Sequence, residues 1–169
     1  MESHTLLEPA MRAIAYGVRD GIPMPNDSHF VYKVRPEDTG GLYALVEGGL
    51  APRMLIPPHI HTREDEVSIL IKGRLGVRIG DQEFELEPGG VALKPRGIPH
   101  AMWNPTDEPN LQLEFITPGG YVKFWEEVAT LKDGWQSPEA EAMAERYGQR
   151  WLRDEAWVPE LIRRHELRA

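Results

Sequence analysis

The sequence predicts a single-domain, all-β fold with an arm before it and helices after it, and three observations carry that prediction. Short runs rich in Val, Ile, Leu, Tyr and Phe recur at even spacing from Phe30 to Ile116. Nearly every gap between them holds Gly, Pro, Asn or Asp, the residues that turns favour. After Thr117-Pro118-Gly119-Gly120 the apolar period lengthens from that of a strand to that of a helix. Short strands in such an order argue for an antiparallel sandwich or barrel. The chain then divides into an N-terminal arm over residues 1–29, a β-barrel over 30–117 and a helical extension packed on the barrel over 118–169.

Taken in order, the arm shows no clean period. Ala10 to Val18 suits a short helix, whereas Gly21-Ile22-Pro23-Met24-Pro25-Asn26-Asp27 reads as a loop by its turn chemistry. Strands are expected at Phe30–Val34, Leu42–Val46, Met54–Ile56, Val67–Ile71, Leu75–Ile79, Glu83–Leu86, Val91–Leu93, Ala101–Trp103 and Leu111–Ile116. Gly80-Asp81 joins two of them as a hairpin, with Leu75, Val77 and Ile79 facing in. Val67–Ile71 is apolar at nearly every position, as befits a strand covered on both faces, by a second sheet or by a partner. Beyond residue 120, Tyr121, Phe124, Trp125 and Val128 form an amphipathic stripe. Ser137-Pro138-Glu139 opens a further helix, with a hydroxyl cap, proline in the first turn and an acid against the dipole, and Gly148 stops it. The tail after it holds tryptophan anchors and no catalytic pattern.

Composition narrows the chemistry. The chain has 169 residues, a formal charge of −8 and no cysteine, so disulfides and thiolate ligands are excluded and His and carboxylate remain as strong ligands. The acidic balance and the lack of a basic patch exclude nucleic acid as a partner. No run approaches the roughly 18 apolar residues of a membrane span, and the amino terminus lacks the basic and apolar regions of a signal peptide, so a cytoplasmic protein away from membranes is expected.

Two stretches carry the functional signal. In Pro57-Pro58-His59-Ile60-His61-Thr62-Arg63-Glu64-Asp65-Glu66 the histidines stand two apart, so on a strand both rings point to one face. A turn over the next four residues would bring the Glu66 carboxylate beside them, and two imidazoles with a carboxylate suit a divalent transition metal. Taken alone, the stretch suits an exposed, charged hairpin tip equally well. The second stretch, Gly89 to Asn104, sets His100 just after the turn Pro95-Arg96-Gly97, placed to supply a fourth ligand. Glu64 is a competitor for the metal, and Asp65 reads as a solvated turn acid.

Together the two stretches resemble the cupin superfamily, whose motifs are G-x5-H-x-H-x3-4-E-x6-G and G-x5-P-x-G-x2-H-x3-N. The first matches at His59, His61, Glu66 and Gly73, with Arg53 in place of the leading glycine. The second matches at Gly89, Pro95, Gly97, His100 and Asn104. The Pro-Gly-Gly-aromatic segment, the Phe-Trp-Glu helix and Ala144-Glu145-Arg146-Tyr147-Gly148 are similar to bacterial quercetin 2,3-dioxygenase-like monocupins. Ser68 departs from that group, where an aromatic residue commonly stands.

The resemblance implies a jelly-roll barrel, a homodimer and one divalent metal ion (Fe, Mn, Ni, Co, Cu or Zn) held by His59, His61, Glu66 and His100. It implies a dioxygenase that binds a flavonol-like or other enolic small molecule together with O2, with Glu66 a ligand that either also takes the substrate's proton or stays a plain ligand throughout. The competing expectations are a metal-dependent isomerase, lyase or cyclase that uses no oxygen, and a ligand-binding barrel without turnover. Met102, Leu113 and Phe115 are expected to fill the core or to line the substrate pocket, which Ser68 would widen. Trp103 and Trp125 are expected to be packing anchors, and His4, His29 and His165 to take no part.

Overall fold

The computed structural model describes residues 14–132 and 137–168. Two antiparallel sheets pack face to face as a jelly roll, with helices following them. In chain order the strands are β1 (Ile22–Met24), β2 (Asp27–Val34), β3 (Ala44–Gly48), β4 (Leu55–His61) and β5 (Asp65–Lys72). There follow β6 (Leu75–Ile79), β7 (Gln82–Leu86), β8 (Val91–Lys94), β9 (His100–Trp103) and β10 (Leu111–Thr117). The chain then forms α1 (Val122–Val128), α2 (Pro138–Arg146), a last strand β11 (Gln149–Trp151) and α3 (Val158–His165). One sheet runs β1-β2-β3-β10-β5-β8 and the other β11-β4-β9-β6-β7.

Each expected strand forms, most of them extended or shifted by a few residues. Gly80 takes φ +56 in the two-residue hairpin between β6 and β7, and Ser137 caps α2 by accepting from the Ala140 amide. Four elements differ from expectation. Residues 22–24, read as loop, pair with β2 at the sheet edge, where Pro23 is tolerated because an edge position can leave its missing donor unused. The tail contributes β11, too short to show a period, and α3, whose Val158, Leu161 and Ile162 share one face. The helix expected from Ala10 lies partly outside the described residues, and residues 14–18 are not helical.

Alternation divides the six-stranded sheet into unlike faces. Inside lie Glu66, Ser68 and Leu70 of β5, Ala92 and Lys94 of β8, and Gln112, Glu114 and Ile116 of β10, all buried. Outside lie Val91 and Leu93, each more than half exposed. The second sheet is covered on both faces. Leu75, Val77 and Met102 fill the barrel with Leu70, while Leu55 and Trp103 pack outward against Leu161 and Leu167 beneath α3.

That outer packing explains Gly76. A Cβ there would lie 2.0 Å from the Trp103 ring, which is itself wedged under α3. Gly76→Ala is therefore expected to destabilise the fold by about 1–3 kcal/mol through overpacking, read as a lower urea midpoint. An unchanged midpoint would show that Trp103 can move aside.

Arg53, the departure from the cupin glycine, adopts the left-handed φ of +59 that a glycine would take freely. That conformation costs an ordinary residue about 1–2 kcal/mol. Its guanidinium offsets the cost by donating to Asp107 at 2.8 and 2.9 Å and to the carbonyls of Pro105 at 2.6 Å and His165 at 3.1 Å. The arginine ties the approach to β4 to a distant loop and to the tail, which glycine would not do.

Candidate metal centre

Four side chains meet inside the barrel. One ligand atom from each of His59, His61, Glu66 and His100 lies within 4.8 Å of the other three, and all four residues are buried. His59 and His61 stand two apart on β4, and His59 is the direct cross-strand partner of His100 on β9. The turn after His61 does not return the chain to a neighbouring strand, as the spacing alone suggested. It carries the chain across to the facing sheet, so Glu66 meets the three rings from the opposite wall.

Hydrogen bonds orient two of the rings. His59 Nδ1 donates to the Pro57 carbonyl at 2.8 Å and His100 Nδ1 to the Ile98 carbonyl at 3.2 Å. Nδ1 thus carries the proton and Nε2 keeps a lone pair for the cluster. The Nε2 atoms of His61 and His100 approach Glu66 Oε2 to 3.5 and 3.3 Å, yet both are buried without a hydrogen-bond partner. Buried, unpartnered Nε2 atoms beside a buried carboxylate fit a divalent transition ion. Glu64 is not part of the cluster. Its Oε2 sits behind His61, 3.8 Å from Nδ1.

Electrostatics agree with this. Burial lowers the pKa of His59 well below its ordinary value, and the neighbouring rings His100 and His61 lower it further. Burial lowers His100 as well, against the pull of Glu66. Burial alone would raise Glu66, but His61, Lys94 and His100 outweigh it and hold the carboxyl well below the usual range.

The depressed histidine pKa values have a consequence for the metal-free protein. Unfolded histidines take up protons near pH 6.5 while these two do not, so their contribution is present above that value and is lost as pH falls below it. Stability should fall by up to about 1.4 kcal/mol per pH unit for each ring between pH 6.5 and 5. Urea melts across this range check the slope, and a flat profile would contradict the burial.

Beside the cluster lies a second buried polar group. Lys94 Nζ contacts Glu66 Oε2 at 3.2 Å, Glu114 Oε2 at 3.0 Å and the Met102 sulfur at 3.2 Å. Glu114 Oε1 accepts from Ser68 Oγ at 2.7 Å and from Gln112 Nε2 at 2.8 Å. Register explains these contacts, since Glu66 faces Lys94 and Ser68 faces Glu114 across paired strands. Burial pushes Glu114 up despite the opposing pull of Lys94.

A cavity of about 60 Å³ adjoins the cluster. Glu66, Lys94, Gln112 and Glu114 line it, and Phe30, Tyr121, Trp125 and Trp151 supply aromatic walls. The Tyr121 ring meets His61 edge-on at 4.3 Å, and its hydroxyl donates to Gln149 at 2.7 Å.

Of the residues expected to line a substrate pocket, Met102 does so, and Ser68 lies buried where it supports Glu114. Leu113 and Phe115 do not. They occupy the outer face of β10, where Phe115 stacks on Tyr43 at 5.1 Å and Leu113 lines a separate cavity with Tyr16 and Ile71. Apolar character suggested that these two point inward, but the barrel interior along β10 is polar because Lys94 stands across from it. Trp103 is the packing anchor expected, whereas Trp125 also faces the cavity. Lys94, Gln112, Glu114, Tyr121, Gln149 and Trp151 were not singled out as pocket residues. Counting outward in steps of two from Glu66 and pairing across the register would have found the first three.

Residues 47–116 match the family model for the cupin domain. Over 83 residues the chain is 34% identical to germin-like protein subfamily 3 member 2 of Arabidopsis thaliana, a match covering 44% of this chain and 37% of that one. The chain thus spans little more than a third of that relative's length. Among solved structures, KdgF from Halomonas sp. is similar with a TM-score of 0.47 and 19% identity over 53% of this chain and 76% of that one. The TT1209 protein of Thermus thermophilus is similar with a TM-score of 0.46 and 28% identity over 53% and 84%.

Proposed function

From a cupin jelly roll that gathers three buried imidazoles and one buried carboxylate, we propose a metal-dependent enzyme whose reaction is the oxygen-dependent cleavage of a small enolic molecule. The observation that carries this reading is the convergence of His59, His61, Glu66 and His100, with buried Nε2 atoms left unpartnered. A bound divalent transition ion (Fe, Mn, Ni, Co, Cu or Zn) would supply Lewis acidity and, where redox-active, electron transfer. The chain's own groups do the rest. The three rings on one sheet and Glu66 on the facing one would hold the ion between them, and the aromatic walls keep bulk water from the reacting centre. Glu66, the carboxylate of the cluster, would be the nearest acceptor for the proton that the enol gives up on binding. Lys94 holds one oxygen of Glu66 in place during that transfer.

A second reading, proton transfer without oxygen as in an isomerase or lyase, draws on Glu114. Burial raises the pKa of its carboxyl beside the cluster, the direction that suits a group taking part in proton transfer.

The test is to strip the protein, reload it separately with Fe(II), Mn(II), Ni(II), Co(II), Cu(II) and Zn(II), and follow oxygen uptake and product formation over small enols and flavonols. Uptake with a redox-active metal and a small enol supports the first reading. Turnover without uptake transfers support to the second. Failure to retain any metal, or silence over the whole panel, would sink both.

A further inference from the structure

Two residues that line the cavity, neither of them in the metal cluster, each carry a buried polar atom without a partner among the described residues. Gln112 is 3% exposed, and its Oε1 is buried without a partner. Its orientation is fixed, because Nε2 must donate to Glu114 Oε1, and that oxygen also accepts from Ser68 while the other accepts from Lys94. The carboxamide oxygen is thus an acceptor held in place by a fully engaged network. Trp151 supplies the complement. Its ring packs 5.2 Å from His59, and its indole N–H is buried without an acceptor. Both side chains line the same small cavity. Leaving a buried donor or acceptor unpaired carries a desolvation cost, so such atoms in a binding cavity mark the polar groups its guest brings.

We propose that Gln112 and Trp151 form the recognition subsite of this cavity, reading respectively a hydroxyl and a carbonyl or carboxylate oxygen of the guest. The substrate is therefore a small hydroxylated acid or hydroxy-carbonyl compound. This rests on the metal-centred reading above and adds the substrate class to it. The acceptor oxygen of the guest lies on the His59 side, toward Trp151. The hydroxyl lies on the side of β10, where Gln112 sits one inward position beyond Glu114.

Two matched pairs of probes test this on the Co(II)-loaded protein: lactate against glycerate, and 2-hydroxybutanoate against 2,4-dihydroxybutanoate. Each pair differs by one terminal hydroxyl. Metal retention and the Co(II) visible spectrum report the centre, and calorimetric Kd values report the subsite. The hydroxylated member of at least one pair is expected to bind about tenfold more tightly, the scale of one well-made hydrogen bond. Gln112→Met should erase that preference while leaving metal content unchanged. Trp151→Phe should weaken both members alike and leave the preference intact.

If the protein retains Co(II) but neither pair discriminates, as when an ordered water satisfies Gln112, the subsite is refuted and the metal reading stands. A preference that survives in Gln112→Met refutes the assignment equally. If Co(II) is not retained, both fall together. Should Gln112→Met fail to fold, the two pairs measured on the unmodified protein still decide.

Discussion

His61→Ala should lose metal binding while losing comparatively little of the metal-free fold. The ring sits at the centre of the cluster, 1% exposed, with Nε2 facing Glu66 and no hydrogen bond to either nitrogen. Removing even an outer partner of a metal ligand typically costs about 10–100-fold in affinity, and removing the ligand itself should cost more than about 100-fold. A ligand present at about 100 times its Kd stabilises a protein by about 2.7 kcal/mol. At that Ni(II) or Zn(II) concentration the parent protein should show a raised urea midpoint and His61→Ala should show none. Chelator competition gives the affinity directly. Undiminished metal-dependent stabilisation in the variant would mean that the four residues do not act together.

Lys94→Met should produce the largest loss of stability among changes in the barrel interior. The ammonium is the one cation among the described residues in contact with both Glu66 and Glu114. Without it two buried carboxylates would share a cavity wall uncompensated, and breaking a buried pair in this way costs about 3–5 kcal/mol. The double substitution Lys94→Met with Glu114→Gln should recover a substantial part of that loss, because the stranded charge goes with it. Urea denaturation of the parent, both single variants and the double variant at neutral pH closes the cycle. Should the double variant be no more stable than Lys94→Met alone, the pairing of Lys94 with Glu114 would be of no energetic consequence. The Lys94→Met loss should also shrink at acid pH, where Glu114 takes up a proton.

Much of this architecture was legible in the sequence because local rules and tertiary packing agree there. Gly80 permits the hairpin it was expected to permit, Ser137 caps its helix, and His59 and His61 share a face because a strand requires it. The reading stopped where a residue's hydrophobicity and its direction part company. On β10, Leu113 and Phe115 look like core and face outward, while Gln112 and Glu114 look like surface and face inward. Only the cross-strand register, with Glu114 opposite Ser68 and Lys94 opposite Glu66, makes a polar interior tolerable there. The tail was opaque for a different reason. A three-residue strand has too few positions to show alternation, and the partner that orders β11 lies almost ninety positions earlier in the chain.

That last pairing changes what the end of the chain is for. Gln149 sits opposite His61 and Trp151 opposite His59, so β11 occupies what would otherwise be the open margin of the histidine-bearing strand. A protease that nicked the connection between α2 and β11, or a deletion ending at residue 148, would unzip that margin. The strand that carries His59 and His61 would then be exposed to solvent and to strand exchange with other chains. The segment from β11 onward therefore acts as a clasp, and loss of the ion should accompany its removal.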